Sequence, residues 1–132
     1  MKHPQLGHDS VLQTIDNAPI KPLLQVLDIE KIITSLGERY RLVLSDSTHY
    51  IQGMLAVDIS HLAQNESLIK YSIIRLNEFV CNNIYEKRIC VVIQCEIVQD
   101  YHNVIGKPIS YINWYDERPI SLNNEKFTIY CI

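Results

Sequence analysis

The stretch RYRLVLSDSTHYIQGMLAV, residues 39–57, decides the fold. Within 39–45 the chain alternates: Tyr40, Leu42 and Leu44 point one way, and Arg39, Arg41, Val43 and Ser45 the other. A period of two marks a strand with one face on a core. Asp46-Ser47 supplies turn chemistry, because short polar side chains bond back to their own backbone. Residues 50–57 then read as the next strand. Gly53 inside it predicts a bulge or tight bend, as a small barrel needs at its corners.

Working upstream, LLQVLDIEKII at 23–33 reads as a long strand. Its expected faces are Leu23, Leu27 and Ile29 with Gln25 on one side, and Leu24, Val26, Asp28 and Glu30 on the other. A turn at 35–38, with Gly37, leads into the deciding stretch. Pro19 and Pro22 block helix. Before them, DSVLQTIDN at 9–17 predicts a short helix with a Ser10/Gln13 capping box and an apolar stripe of Val11, Leu12 and Ile15. Downstream, 58–66 predicts another short helix, with Asp58 or Ser60 as cap. Residues 69–81 predict a fourth strand, 82–87 a polar hairpin loop, and 88–98 (RICVVIQCEIV) a fifth strand. In that last strand Cys90 and Val92 share one side, and Ile89, Val91 and Ile93 the other. Both sides are apolar, so the outer one needs a cover: a partner, the opening helix, or the segment 112–132.

Helix, three strands, helix, two strands is the order of an all-β chain with short helices. It predicts a five-stranded OB-fold barrel with an N-terminal helix and a helix between strands 3 and 4. No alternating strand–helix pattern supports a doubly wound sheet. Residues 1–111 read as the OB domain and 112–132 as a tail or the start of a linker. A length of 132 residues fits one domain.

The net charge of −3 makes the chain as a whole a poor polyanion binder, so attraction to nucleic acid would need a local patch. The start MKHPQLGHDS has no apolar run after its Lys, and no apolar stretch is long enough to span a bilayer; the chain reads as soluble and intracellular. Cys81, Cys90, Cys95 and Cys131 lack CxxC spacing, and His49, His61 and His102 have no ligand-spaced partner. These cysteines read as reduced, buried packing residues, and no metal or cofactor is expected. Ser45, Asp46 and His49 lack a nucleophile elbow, and four glycines make no phosphate loop, so an enzyme is not expected.

IKPLLQVLDI at 20–29, RYRLVLSD at 39–46, MLAV at 54–57 and IGKPISY at 105–111 resemble the N-terminal domain of the large subunit of replication protein A, the eukaryotic single-strand DNA-binding complex. The resemblance covers residues 5–111, and its IKP-x-LQV-x-x-I and RYRL-x-x-SD blocks are more specific than an OB fold requires. It implies a nuclear recruitment module for DNA replication, repair, recombination and checkpoint proteins. It also implies other subunits of the complex as partners of a longer chain, and weak binding of single-stranded DNA. The implied site is a basic and apolar groove for acidic amphipathic helices, with no catalytic residue. Carried onto this chain, the groove is Arg39, Arg41, Gln52, Met54, Asn82, Ile84, Tyr85, Lys87, Ile89 and Val91. Arg39, Arg41 and Lys87 would be its cationic walls, and Met54, Ile84, Ile89 and Val91 its apolar contacts. Glu30 stands where the family has a basic residue, Tyr85 where it often has Lys, and the hairpin turn is about one residue shorter with its Gly missing. These departures imply weaker or retuned binding of acidic peptides.

Two competing readings come from the residues themselves. Arg39 and Arg41 also fit as solvated strand residues facing Asp or Glu across the sheet. Direct binding of single-stranded DNA is the alternative function. It would need stacked aromatics; Tyr40 and Phe79 read as core, Tyr50, Tyr71 and Tyr85 as candidates for exposure, and no exposed pair is flanked by Lys and Arg.

Overall fold

The computed structural model describes residue 6, residues 10–84 and residues 87–111; the side chain of Ile84 is outside that description, as are Tyr85, Cys131 and all of 112–132. The strands are β1 (Leu23–Thr34), β2 (Gly37–Ser45), β3 (His49–Leu55), β4 (Ile73–Ile84), β5 (Lys87–Gln99) and β6 (Ile109–Ser110). The first five close a ring, β1-β2-β3-β5-β4 and back to β1. Every contact in the ring is antiparallel except β3 with β5, which is parallel. This is the OB barrel expected from the order of elements. The short β6 adds a parallel pairing to β3 through His49–Ile109 and Tyr50–Ser110.

The interior follows the period-two pattern. Leu24 and Val26 of β1, Tyr40, Leu42 and Leu44 of β2, Ile51 and Leu55 of β3, Ile74, Leu76 and Cys81 of β4, and Cys90 and Val92 of β5 form one core. Fully burying a Leu or Ile is worth about 1.5–3 kcal/mol, and this repeated burial fixes which face of each strand turns inward. One end of the core is plugged by Val11 and Ile15 of α1 (Ser10–Ile15), and Ile59 and Leu68 join from the β3–β4 connection.

Helix α1 is tied down by the barrel. Ser10 is its first helical residue, not its cap residue, and the Val11 N–H donates to Asp46 Oδ2 at 3.0 Å from the β2–β3 turn. The other oxygen of Asp46 accepts from the N–H groups of Thr48 (2.9 Å) and His49 (2.8 Å), so one buried carboxylate holds both turn and helix. At the far end Arg88 Nε donates to the Ile15 carbonyl at 2.8 Å. Asn17, with φ 55°, follows the helix and bonds both backbone groups of Cys81.

Several expectations need correction. The alternation in β1 breaks at a bulge: the register with β2 slips between Val26 and Asp28. Val26 and Ile29 therefore both pack on the core, and Asp28 and Glu30 move to the outer face with Val43 and Arg41. Continuing the simple alternation would have driven two carboxylates into the barrel, and the extra residue avoids that desolvation cost. Gly53 makes no bulge, since its register with β2 and β5 is continuous. It is there for close approach: a Cβ would meet Leu44 Cδ1 at 2.9 Å and the Cys90 carbonyl oxygen at 3.2 Å.

The 58–66 helix is a 3-10 turn (Val57–Ile59) followed by α2 (His61–Gln64), with no side-chain cap from Ser60. Strand β4 starts at Ile73 rather than 69, because Tyr71 has a left-handed φ of 74°. The hairpin loop is shorter than 82–87: Asn82–Ile89, Asn83–Arg88 and Ile84–Lys87 are paired. Polar residues there signalled a strand tip extending past the barrel, not the end of pairing. Tyr50 is buried, with Leu27 and Val43.

Gly53→Ala should destabilise the barrel by about 1–3 kcal/mol, the usual cost of overpacking. Urea unfolding measures it. A loss of under about 0.3 kcal/mol would mean that β3 and β5 tolerate a side chain between them.

Candidate partner-binding face

Strand register assembles the outer face. In one rung Asp28 of β1 is level with Val43 of β2, Val43 with Gln52 of β3, Gln52 with Ile89 of β5, and Ile89 with Asn82 of β4. In the next, Glu30, Arg41, Met54, Val91 and Val80 line up in the same way. Side chains level with each other in neighbouring strands stand on the same face. Seven of the sequence-predicted residues are thus neighbours: Arg41, Gln52, Met54, Asn82, Ile89 and Val91 in the rungs, and Arg39 one step along β2 from Arg41. Lys87 lies two residues before Ile89 on β5, on the same face. Ile84 pairs with Lys87 at the strand tip, its side chain being outside the described residues, and Tyr85 lies outside them altogether.

The cationic walls are not open as expected. Arg41 is nearly enclosed, its side chain 4 % exposed. Its Nη2 donates to Asp28 Oδ2 at 2.9 Å and to Glu30 Oε2 at 2.5 Å, and its Nε to the same Glu30 oxygen at 3.1 Å. Arg41 does face Asp28 and Glu30 across the sheet, but it is buried rather than solvated. Arg39 is also buried, and its Nη2 reaches the Leu55 carbonyl at 3.4 Å. Lys87 is half-buried.

The apolar part is dense at its centre and opens toward β4. Met54 and Ile89 are fully buried, Val91 is half-buried and Val80 is exposed. Gln52 is buried among them, and its Nε2 has no hydrogen-bond partner among the described residues; Arg39 Nε is in the same position. A buried donor without an acceptor costs about 1–3 kcal/mol. Among the described residues the face sets apolar rows beside buried donors.

Sequence reasoning missed Asp28 and Val80. The available signal for Asp28 was the run Val26-Leu27 followed by Ile29, three apolar residues that no single strand face can hold. A separate depression of about 350 Å³ lies beside the bulge, lined by Leu27, Asp28, Lys70, Tyr71, Val104 and Lys107. None of the ten predicted residues lines it.

Stripping the carboxylates from a buried cation costs more than removing the cation. The pair Asp28→Asn/Glu30→Gln should therefore destabilise the chain by about 3–5 kcal/mol, and Arg41→Met by clearly less, because Asp28 and Glu30 reach water at 36 % and 56 % exposure. Thermal or urea unfolding of the variants decides the order; the reverse ranking would show that Arg41 does not depend on those two groups.

Comparison with known proteins gives the family. Residues 7–100 match the family described as Replication factor-A protein 1, N-terminal domain. A replication protein A 70 kDa DNA-binding subunit of Arabidopsis thaliana is 38 % identical over 104 residues, which is 76 % of this chain and 13 % of that protein. Replication factor A protein 1 of Schizosaccharomyces pombe is 33 % identical over 111 residues, 78 % of this chain and 18 % of that protein. The replication protein A 70 kDa DNA-binding subunit of Mus musculus is 28 % identical over 122 residues, 88 % of this chain and 20 % of that protein. The chain thus spans a fifth or less of the length of these relatives. With the barrel, the two rungs and the matched residues together, this chain belongs to the family of replication factor A protein 1 N-terminal domains.

Proposed function

We propose that the chain is a nuclear recruitment module of a replication protein A complex, a binding domain rather than an enzyme, that docks acidic amphipathic helices of replication, repair and checkpoint proteins. The observation that carries the reading is the register placing Arg41, Met54, Val91 and Val80 side by side. An amphipathic helix laid across these strands would set its apolar side on Val91 and Val80, with Met54 buried beneath, and its carboxylates toward Arg41 and Lys87.

Glu30 gives this docking its particular character. It already occupies the Arg41 guanidinium with a side chain 56 % exposed, and can swing away into water. An incoming carboxylate therefore exchanges with Glu30 rather than meeting a free cation. Recognition becomes a competition between an internal acid and an external one, which lowers affinity without abolishing the site.

Direct binding of single-stranded DNA is less well supported. The ten positions of the two rungs contain no aromatic residue for base stacking, and Tyr40 and Tyr50 are buried. Weak contact with DNA through Lys87 and Arg88 is compatible with the proposal.

The test is a side-by-side anisotropy titration of a labelled acidic amphipathic peptide and a labelled oligonucleotide, each at two salt concentrations. Glu30→Gln should tighten peptide binding about two- to fivefold, the effect of one charge at a partly exposed site. Arg39→Glu and Lys87→Glu should each weaken it, more so at low salt. Peptide affinity unmoved by all three changes would sink the docking reading. Tighter binding of the oligonucleotide, with a steep salt slope, would favour the DNA-binding alternative.

A further inference from the structure

Two cysteines stand opposite each other inside the barrel. Cys81 of β4 is level with Cys90 of β5, and both side chains belong to the core, so they share a face. Which kind of antiparallel pair they form follows from their backbone bonds. The Cys81 N–H donates to Asn17 Oδ1 at 2.7 Å, and the Cys81 carbonyl accepts from Asn17 Nδ2 at 3.0 Å. Both groups of Cys81 therefore point away from β5. On β5 the Val92 carbonyl accepts from the Ala56 N–H beyond β3, and Cys90, two residues earlier, turns its groups the same way. Cys81 and Cys90 are thus a non-hydrogen-bonded pair, the kind whose Cα atoms stand about 4.5 Å apart with their side chains closest. That spacing lies within the range of about 4.4–6.8 Å that a disulfide spans.

We propose that Cys81 and Cys90 form a dithiol site that reacts with low-molecular-weight disulfides of the glutathione class and closes a cross-strand disulfide in the β4–β5 hairpin. One cysteine thiolate attacks a sulfur of the small disulfide; that S–S bond breaks, a mixed disulfide forms, and one small thiol leaves with a proton. The second cysteine then attacks the protein-side sulfur, giving the Cys81–Cys90 bond and releasing the second small thiol. The protein loses two electrons and two protons, and the small disulfide gains them.

The site is gated. Cys81 and Cys90 are 2 % and 1 % exposed, so the reagent enters only when the hairpin opens locally. In the closed state the Cys90 thiol is held well above its ordinary pKa, first by its hydrogen bond with Cys81 and then by burial, which keeps it protonated and unreactive. Only three residue pairs separate the cysteines from the hairpin tip, and Asn17 holds the free edge of β4 closed. The disulfide would join the strands directly between the Val80–Val91 and Asn82–Ile89 pairs of the outer face, fixing its β4 side.

The test uses the full chain carrying Cys95→Ser and Cys131→Ser, incubated natively with glutathione disulfide and then alkylated. The expected product has lost about 2 Da, resists alkylation at both positions, and gives two disulfide-linked tryptic peptides, since Lys87 and Arg88 lie between the cysteines. Adding Cys81→Ser should stop the reaction at a single glutathione adduct or at none. Asn17→Ala should speed linkage severalfold by loosening the β4 edge. Linkage appearing only in denaturant, or two separate glutathione adducts in place of a crosslink, would overturn the proposal.

Discussion

The guanidinium of Arg41 sits between Asp28 and Glu30 on a face where it has almost no contact with water, and a bulge in β1 makes that arrangement possible. Without the register slip between Val26 and Asp28, both carboxylates would continue the inward phase of Leu24 and Val26. The core would then hold two unpaired acids, and Arg41 would lose their charge-assisted bonds. One extra residue therefore separates the barrel's apolar interior from its charged exterior. It also sends Leu27 to a separate small cluster with Val43 and Tyr50.

Strand β3 is where the remaining constraints meet. It pairs with β2 along one edge, and its other edge is shared in sequence by β6 and then β5. Barrel closure brings the backbone of β5 against β3 at Gly53, and a Cβ there would press on the Cys90 carbonyl. The same closure sets Gln52 and Met54 level with Ile89 and Val91, so the geometry that needs a glycine on one side of β3 creates the apolar rows on the other. Asp46, Asn17 and Arg88 then fasten α1 over the open end of the core.

Much of this was legible in the residues. The alternation of Tyr40, Leu42 and Leu44 located a strand and its buried face, and the order of elements pointed to the barrel. Arg39, Arg41, Met54, Ile89 and Val91 were assigned to one surface, and their register brings them there. The illegible parts share a cause: they depend on non-local contacts. Whether Gly53 bends a strand or admits a neighbour depends on Leu44 and Cys90, distant in sequence. Whether Arg41 stands open or paired depends on a bulge across the sheet. The cap of α1 comes from Asp46, 35 residues away from Val11. Asn82 and Asn83 look like a loop because local polarity cannot distinguish a turn from a strand tip in water.

The electrostatics of the face bear on the proposed docking. Asp28 and Glu30 lie against Arg41, far closer than the screening length of about 8 Å at physiological ionic strength. From a distance the three groups carry one net negative charge, and with Arg39 and Lys87 the whole face comes to only +1 on a chain of net charge −3. Long-range steering of an acidic helix would therefore be weak. On the proposed docking, discrimination would fall to short range, where a carboxylate would displace Glu30 while apolar residues meet Val91 and Val80. A partner that offered charge alone would gain little by that exchange, and one that offered only apolar surface would leave Glu30 on Arg41. On the proposed docking, the face would select for ligands that carry both features in register with the strands, and that selectivity would arise from neutralising the arginine rather than exposing it.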